Sequence, residues 1–385
     1  MALDQQTLQQ LLDTVHRFVH ERLIPLEEQV ATDDAMPPAV IQEMRELGLF
    51  GLTIPEAFGG LGLTTEEECR VVLEFGQTSP AFRSMFGTNN GIGSQGLVQD
   101  GTDEQKAKYL PRMATGDVIG SFCLTEPDAG SDAGSVATTA VADGDHYVLN
   151  GTKRYITNAP QAQLFTVFAR TDPNQAGSRG VSAFLVDADT RGITLGKPNK
   201  KMGQQGAQVC DVIFDDCRVP RDQLLGGASM LNKGFITAMK TLDRGRLHIS
   251  ALAVGCAERL INEALSYATE RKQFNQPIAE FQLIQAMLAD SRAEAYAARC
   301  MVLDAARRRD QGEVVTELAS CCKLFASEMV GRVADRAVQI HGGAGYMEEY
   351  PVARFFRDVR LFRIYEGTSQ IQQTLIARSM IRSAS

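Results

Sequence analysis

A chain of 385 residues, 44% hydrophobic and 22% charged, is long enough for two or three packed domains and lacks the composition of a disordered one. Its formal net charge of -8 argues against a nucleic-acid backbone as ligand. It does not argue against an anionic cofactor held by local arginines or helix N-termini. Eight scattered cysteines with no C-x-x-C pair give no sign of a zinc site or a secreted disulfide framework, and a reducing, cytoplasmic setting is expected. The start Met1-Ala2-Leu3-Asp4 lacks the basic and apolar regions of a signal peptide. No apolar run is long enough to span a membrane.

Residues 1–118 read as helical. Leu8, Leu11, Leu12, Val15, Phe18 and Val19 form a stripe at helical spacing. Pro37-Pro38 opens a second helix whose inner face is Val40, Ile41, Met44 and Leu47. After the glycine-rich stretch 57–63, Thr64 and Thr65 are helix starters, and Thr102-Asp103-Glu104-Gln105 fits a capping box. From 119 to 230 the texture changes to short strands: 118–124, 136–141, 147–149, 165–168, 181–186 and 209–214. Asp143-Gly144 and Asn150-Gly151 are the expected turns between them. Strands without intervening helices predict a small antiparallel barrel or sandwich. From 231 to 385 helical periodicity returns, in segments near 249–271, 281–308 and 314–340 that suit a four-helix bundle. The expected class is therefore α+β, ordered helical, β, helical.

Several stretches carry chemistry. Gly91-Ile92-Gly93-Ser94-Gln95-Gly96 fits the dinucleotide pattern G-x-G-x-x-G. It lies in a helical region without a parallel βαβ unit, so close helix packing is the stronger reading. Cys123-Leu124-Thr125-Glu126-Pro127-Asp128-Ala129-Gly130-Ser131-Asp132 ends a strand in a glycine-serine turn. There, backbone N–H groups and hydroxyls suit a flat heteroaromatic ring or a phosphate, or simply make a loop exit. Tyr155-Ile156-Thr157-Asn158 closes another strand and could flank the same ring. Arg271 ends a helix, where it either complements the dipole or reaches a pyrophosphate. His341-Gly342-Gly343-Ala344-Gly345 closes a long helix with more glycines than a C-cap needs.

In Arg363-Ile364-Tyr365-Glu366-Gly367-Thr368-Ser369-Gln370, a carboxylate in apolar company precedes a helix marked by Ile371, Leu375 and Ile376, with Ser369 as the expected N-cap. Burial raises such a carboxyl's pKa, which suits a general base, although a capping or salt-bridged glutamate at a turn is the bland alternative.

Together, CLTEPDAGSD, GTKRYITN, LDRGR, ERKQFNQPI, QIHGGAGY and IYEGTSQIQ resemble, in order and over essentially the whole chain, the acyl-CoA dehydrogenase flavoprotein family, with a pattern nearest its short-chain members. The resemblance implies a three-domain fold and a non-covalent FAD between the middle and C-terminal domains. It implies that Phe122, Leu124, Thr125, Gly130 and Ser131 meet the flavin and, at Ser131, the substrate. Tyr155 and Thr157 stand beside the isoalloxazine ring. Arg271, Phe274, Gln282, Gln339, Gly342 and Gly343 are expected to reach the FAD of a neighbouring subunit in a homotetramer, and Thr368 and Gln370 the subunit's own FAD. Asp243, Arg246, Tyr365 and Gly367 fall at the acyl-CoA substrate, and Glu366 is the implied base. No metal is expected. The Tyr155 position is usually tryptophan in the family. A branched-chain subgroup draws its base from the Gly245 position, where a glycine stands in this chain.

The implied reaction is α,β-dehydrogenation of an acyl-CoA thioester, with electrons passed to an electron-transferring flavoprotein. An acyl-CoA oxidase would differ in releasing peroxide. A non-catalytic, DNA-associated relative would differ in binding DNA, which the acidic charge opposes. Acyl length and branching are not legible; the stretch 88–91 is expected near the floor of the acyl pocket.

Overall fold

In the computed structural model, residues 2–384 are described; Met1 and Ser385, the outermost positions of the expected terminal domains, lie outside the described residues. Seven helices open the chain: α1 (Gln5–Phe18), α2 (Glu27–Asp33), α3 (Pro38–Glu46), α4 (Thr65–Phe75), α5 (Pro80–Asn90), α6 (Gln95–Asp100) and α7 (Asp103–Ala114). Their starts follow the sequence. Thr64 and Glu67 form a capping box on α4, and Thr102 and Gln105 form the expected one on α7. Each box satisfies two backbone N–H groups that a helix start leaves free.

The strands β1 (Gly120–Cys123), β2 (Thr139–Asp143), β3 (His146–Thr157), β4 (Leu164–Arg170), β5 (Val181–Asp187), β6 (Ile193–Leu195) and β7 (Val209–Pro220) build one sheet. Its order is β1-β4-β2-β3-β7-β6, with β5 added on β4. Most pairings are antiparallel, as expected. However, β1 runs parallel to β4, and β2 meets β4 in a single parallel pair. The β2–β3 hairpin lies between β1 and β4 in the chain, so β4 arrives in the direction of β1. Asn150-Gly151 is not a turn. It lies inside the twelve-residue β3 at a shift of register against β7. Gly151 adopts φ +149°, and a β-carbon there would stand 2.8 Å from Thr138 Cα, so the glycine absorbs a bulge rather than a reversal.

The C-terminal helices are α8 (Gly234–Glu270), α9 (Gln282–Asp310), α10 (Thr316–His341), α11 (Pro351–Val359) and α12 (Ser369–Ala384). Helices α8, α9 and α10 pack on one another, and α12 lies against α10. Every residue of α8 from Arg244 to Ala257 is buried, as for a helix surrounded by protein on all sides. Its neighbours include the N-terminal segment: α4 packs against α8 and α9, and Phe75, Phe82, Leu252 and Val330 share one hydrophobic core. The end of α4 reaches α8 at a glycine–glycine contact, where a β-carbon on Gly255 would stand 2.7 Å from Gly76 Cα. A separate core joins α7 to the sheet through Tyr109, Met113, Phe168 and Leu185. Between α8 and α9 a two-stranded hairpin, β8 (Lys272–Gln273) and β9 (Gln276–Pro277), turns through Phe274 and Asn275.

No helix among the described residues is long and apolar enough to cross a membrane. Among them, too, no group of three or more His, Cys, Asp or Glu side chains is arranged to hold a metal ion.

Candidate active site

A cavity of about 860 Å³ opens between α5, the loop after β1, the end of β3, the middle of α8 and the turn before α12. Such a volume suits a cofactor or a ligand of drug size. Five segments distant in sequence meet there because α8 runs through the middle of the molecule and packs against α4, the helix before α5, as well as against α10.

Glu366 sits at its centre, in a turn that the chain must be held into. Its φ is +52°, and that of Gly367 is +92°. A left-handed glutamate costs about 1–2 kcal/mol and persists only when its surroundings determine it. Here Lys323 of α10, fully buried, donates to Gly367 O at 2.6 Å. Gln372 donates to the carbonyls of Glu366 and Gly367 at 3.2 and 3.1 Å. The turn ends where α12 begins, one residue away from the expected cap. Thr368 Oγ1 accepts from Ile371 N, while Ser369 Oγ donates to Glu328.

Glu366 Oε2 is buried with no hydrogen-bond partner, and burial raises the carboxyl's pKa above its ordinary value. Arg83, Lys323 and Arg246 pull it back, and Glu68 pushes it up further. Opposite stands Gly245 of α8, where a β-carbon would overlap Glu366 Oε2. The capping and salt-bridge alternatives do not describe this residue: Thr368 provides the cap, and Glu366 forms no ion pair among the described residues.

Hydroxyl and backbone groups line the opposite wall. Phe122, Leu124, Thr125, Gly130 and Ser131 border the cavity from the loop after β1, and Tyr155 and Thr157 from the end of β3. Tyr155 has φ +58° and lies in a second register shift of β3, 62% exposed on the cavity rim. The bulge turns the ring out of the sheet. The loop after β1 is fixed from beneath by a buried ion pair, Lys153 Nζ to Glu126 Oε1 at 2.6 Å. Lys153 also donates to Leu124 O, and Glu126 accepts from the N–H groups of Ala137 and Thr138. Burial opposes the charge on Glu126, yet Lys153 and these N–H groups win, and its pKa falls below the ordinary value. Removing either partner would strand a buried charge, at a cost of about 3–5 kcal/mol.

The other expected substrate residues divide. Arg246, Tyr365 and Gly367 line the cavity. Asp243 stands behind Arg246, accepting from its Nη1 at 2.6 Å and from Thr316 Oγ1 at 2.6 Å. Thr368 and Gln370 lie outside the cavity lining, which continues along α12 through Ile371, Thr374, Leu375 and Arg378. Thr88 and Gly91 line the cavity as expected of the stretch 88–91. Asn89 and Asn90 instead tie backbone together: Asn89 bonds Met113, Val118 and Gly120, and Asn90 bonds Leu49 and Thr53. The G-x-G-x-x-G stretch serves packing: a β-carbon on Gly93 would stand 2.8 Å from Thr88 O.

Arg271, Phe274, Gln282, Gln339, Gly342 and Gly343 are all exposed and outside the lining of this cavity. Phe274 and Asn275 both have positive φ, and Phe274 is 88% exposed, so the hairpin displays an aromatic ring from a turn that prefers Asn-Gly. His341 is structural, stacked on Tyr267 with ring centroids 4.2 Å apart and bonded through Nδ1 to Ala337 O.

Sequence reading passed over Arg83, Lys323, the Glu126–Lys153 pair and His248, which lines the cavity while its Nδ1 bonds Glu68 Oε1 at 2.8 Å. Lysine at 323, the only charge in the stretch 318–327, was the legible signal.

Comparison with known proteins accounts for the fold. The acyl-CoA dehydrogenase N-terminal, middle and C-terminal domain families match residues 5–117, 121–217 and 232–381. The chain is 40% identical to the mitochondrial short-chain specific acyl-CoA dehydrogenase of Homo sapiens, over 98% of this chain and 91% of that one. It is 42% identical to a subunit of the caffeyl-CoA reductase-Etf complex of Acetobacterium woodii, over 92% and 93% of the two chains. The structure of butyryl-CoA dehydrogenase from Megasphaera elsdenii superposes with a TM-score of 0.94 at 35% identity, covering 99% of each chain. This chain belongs to the acyl-CoA dehydrogenase family.

Proposed function

We propose that this protein dehydrogenates an acyl-CoA thioester between its α and β carbons, with non-covalent FAD, and passes the electrons to an electron-transferring flavoprotein. One observation carries the reading most directly: a carboxylate with a raised pKa and an unpartnered oxygen, Glu366 Oε2, faces a helix cleared by Gly245 inside a cavity rimmed by hydroxyls. When bound, FAD supplies the acceptor for the β-hydrogen as hydride. Phe122, Leu124, Thr125, Gly130, Ser131, Tyr155 and Thr157 are the residues that would hold the flavin, and Thr368 and Gln370 its adenosine half. Their fit rests on the exposed hydroxyls and the outward ring of Tyr155 beside the cavity.

Glu366 removes the α-proton. Its desolvated carboxylate is a stronger base than one in water, while Arg83, Lys323 and Arg246 oppose the rise that burial imposes on its pKa. In this reading the Glu366 backbone N–H donates to the thioester oxygen as negative charge develops there. Arg246, oriented by Asp243, guides the CoA chain, and Tyr365, Gly367 and Ser131 border the acyl group. The loop pair Glu126–Lys153 keeps the flavin wall rigid.

The same reading makes the protein a homotetramer. Arg271, Phe274, Gln282, Gln339, Gly342 and Gly343 are exposed and outside the cavity lining of their own chain, as residues that complete a neighbour's site would be. Its eight cysteines are all unpaired thiols, which supports a reducing cytoplasm. The flavoprotein acceptor is supported by the Etf complex to which the Acetobacterium relative belongs.

The test is anaerobic mixing of the yellow holoprotein with acyl-CoAs of graded length and branching. Bleaching of the flavin by at least one, with enoyl-CoA formed in equal amount, is expected. A colourless protein that cannot be reconstituted with FAD, or a flavin that no acyl-CoA bleaches, would overturn the reading.

A further inference from the structure

His248 of α8 lines the cavity and is 4% exposed, and its two ring nitrogens are placed differently. Nδ1 lies 2.8 Å from Oε1 of Glu68, on α4, while Nε2 is buried with no partner among the described residues. Glu68 is itself 1% exposed, and its Oε2 accepts from Arg244 Nε at 2.7 Å. Burial pushes that carboxyl's pKa up, but Arg244, helped by His248, brings it below the ordinary value. An ionised carboxylate has no proton to give, so Nδ1 is the donor in this pair. The ring is neutral. Burial lowers its pKa below the ordinary 6.5 against the pull of Glu68, and Arg83 and Arg244 lower it further. A neutral ring with its proton on Nδ1 leaves Nε2 a bare acceptor. Buried polar atoms are ordinarily satisfied, and one left without a partner is costly. Glu68 therefore fixes both the orientation of the imidazole and the chemistry it offers to the cavity.

Resting on the dehydrogenase reading, we infer that His248 is a specificity-determining residue whose Nε2 accepts from a hydroxyl of the acyl chain, so that the preferred substrate is a CoA thioester hydroxylated away from its reacting carbons. A bare Nε2 selects a donor, and a carboxylate has none to offer. A cationic donor is opposed by Arg83 and Arg244, whose charges both bear on the ring. An amide would bring a carbonyl that needs a donor of its own. A hydroxyl meets every condition. Its place on the chain follows from α8. Gly245 faces Glu366, and hence the reacting carbons. His248 is three residues on, on the same face of the helix and about 4.5 Å further along its axis. That span is roughly four bonds of an extended chain. Counted from the α-carbon, it puts the oxygen on carbon 5 of the acyl group.

The test compares 5-hydroxyvaleryl-CoA with hexanoyl-CoA, in which a methyl group replaces the hydroxyl, on the holoprotein with an artificial electron acceptor. Wild type is expected to favour the hydroxylated substrate about tenfold in kcat/KM, the order of one hydrogen bond to a group otherwise left unpaired. His248→Leu is expected to lower that ratio by about tenfold. His248→Gln, whose side-chain carbonyl still accepts, is expected to fall between. Flavin content and circular dichroism check the variants. Should neither variant fold, the wild-type preference decides. A wild type that favours hexanoyl-CoA, or a His248→Leu variant in which the ratio is unchanged, would overturn the hydroxyl subsite while leaving the dehydrogenase reading intact. Failure of every acyl-CoA to bleach the flavin would overturn both.

Discussion

Gly245 of α8 and Glu366 of the turn before α12 stand face to face: a β-carbon on Gly245 would overlap Glu366 Oε2 and lie 3.0 Å from its Cδ. The glycine is thus a condition of the base's position. Gly245→Ala should push the carboxylate aside and lower kcat by about 10²-fold, since a misplacement of about 1 Å can cost that much, with flavin content unchanged. Wild-type kcat in Gly245→Ala would show that Glu366 has room to spare. A base transferred to α8 must also replace the one it displaces. Gly245→Glu should recover activity only in a Glu366→Gly background, because in Glu366→Gln the amide fills the same space.

Glu366→Gln keeps shape but cannot accept a proton. Turnover should fall by ~10²–10⁴-fold or more, and flavin bleaching by acyl-CoA should be lost in a stopped-flow experiment while binding persists. In the wild type, activity is lost as pH falls and the base takes up its proton. Because burial raises that pKa above the ordinary 4.5, the ascending limb of the kcat profile should lie above that value. Rapid bleaching in Glu366→Gln would remove Glu366 as the base.

Lys323 both holds the turn, through Gly367 O, and lends its charge to Glu366. Its own pKa is pushed down to about 8 by burial, against the pull of Glu366. Lys323→Met should therefore move the ascending limb to higher pH and lower kcat at neutral pH about tenfold, the order of one lost buried hydrogen bond. The wild-type profile should carry an inflection near pH 8 that the variant lacks. An unchanged pH profile with a lower melting temperature alone would make Lys323 purely structural.

Asp358 of α11 is buried, accepts from Gln204 N through Oδ1, and has no partner at Oδ2. Burial lifts its pKa from the ordinary 3.8 to about 6, against the lowering effect of Gln204 and Arg354. A carboxyl with a raised folded-state pKa binds its proton more tightly in the native form. Its stabilising contribution is present in acid and is lost as pH rises through about 6. Asp358→Asn should accordingly raise the melting temperature by roughly 2–4 °C at pH 7–8, with the gain shrinking toward pH 4. A loss of stability at pH 7.5 would show that the charge is needed.

The sequence by itself determined the helical, β, helical order, both in the stripe of α1 and in the capping box of Thr102 and Gln105, because periodicity and capping are properties of a few consecutive residues. It also singled out Glu366, as a carboxylate between an apolar run and a glycine. Tertiary structure alone decided what that carboxylate faces. Local pattern around Gly245 does not mark it as the clearance for a residue in another segment; only the family resemblance drew attention to that position. Nothing around Arg83 separates an arginine that lines a cavity from an exposed arginine on a helix. Asn150-Gly151 reads as a turn until β7 supplies the partner strand that makes it a bulge. The physical reason is common to all three: each contact is made with a segment far away in the chain, as on the stretch of α8 from Arg244 to Ala257 that is buried on every side, and local pattern carries no record of which distant atom fills a given space.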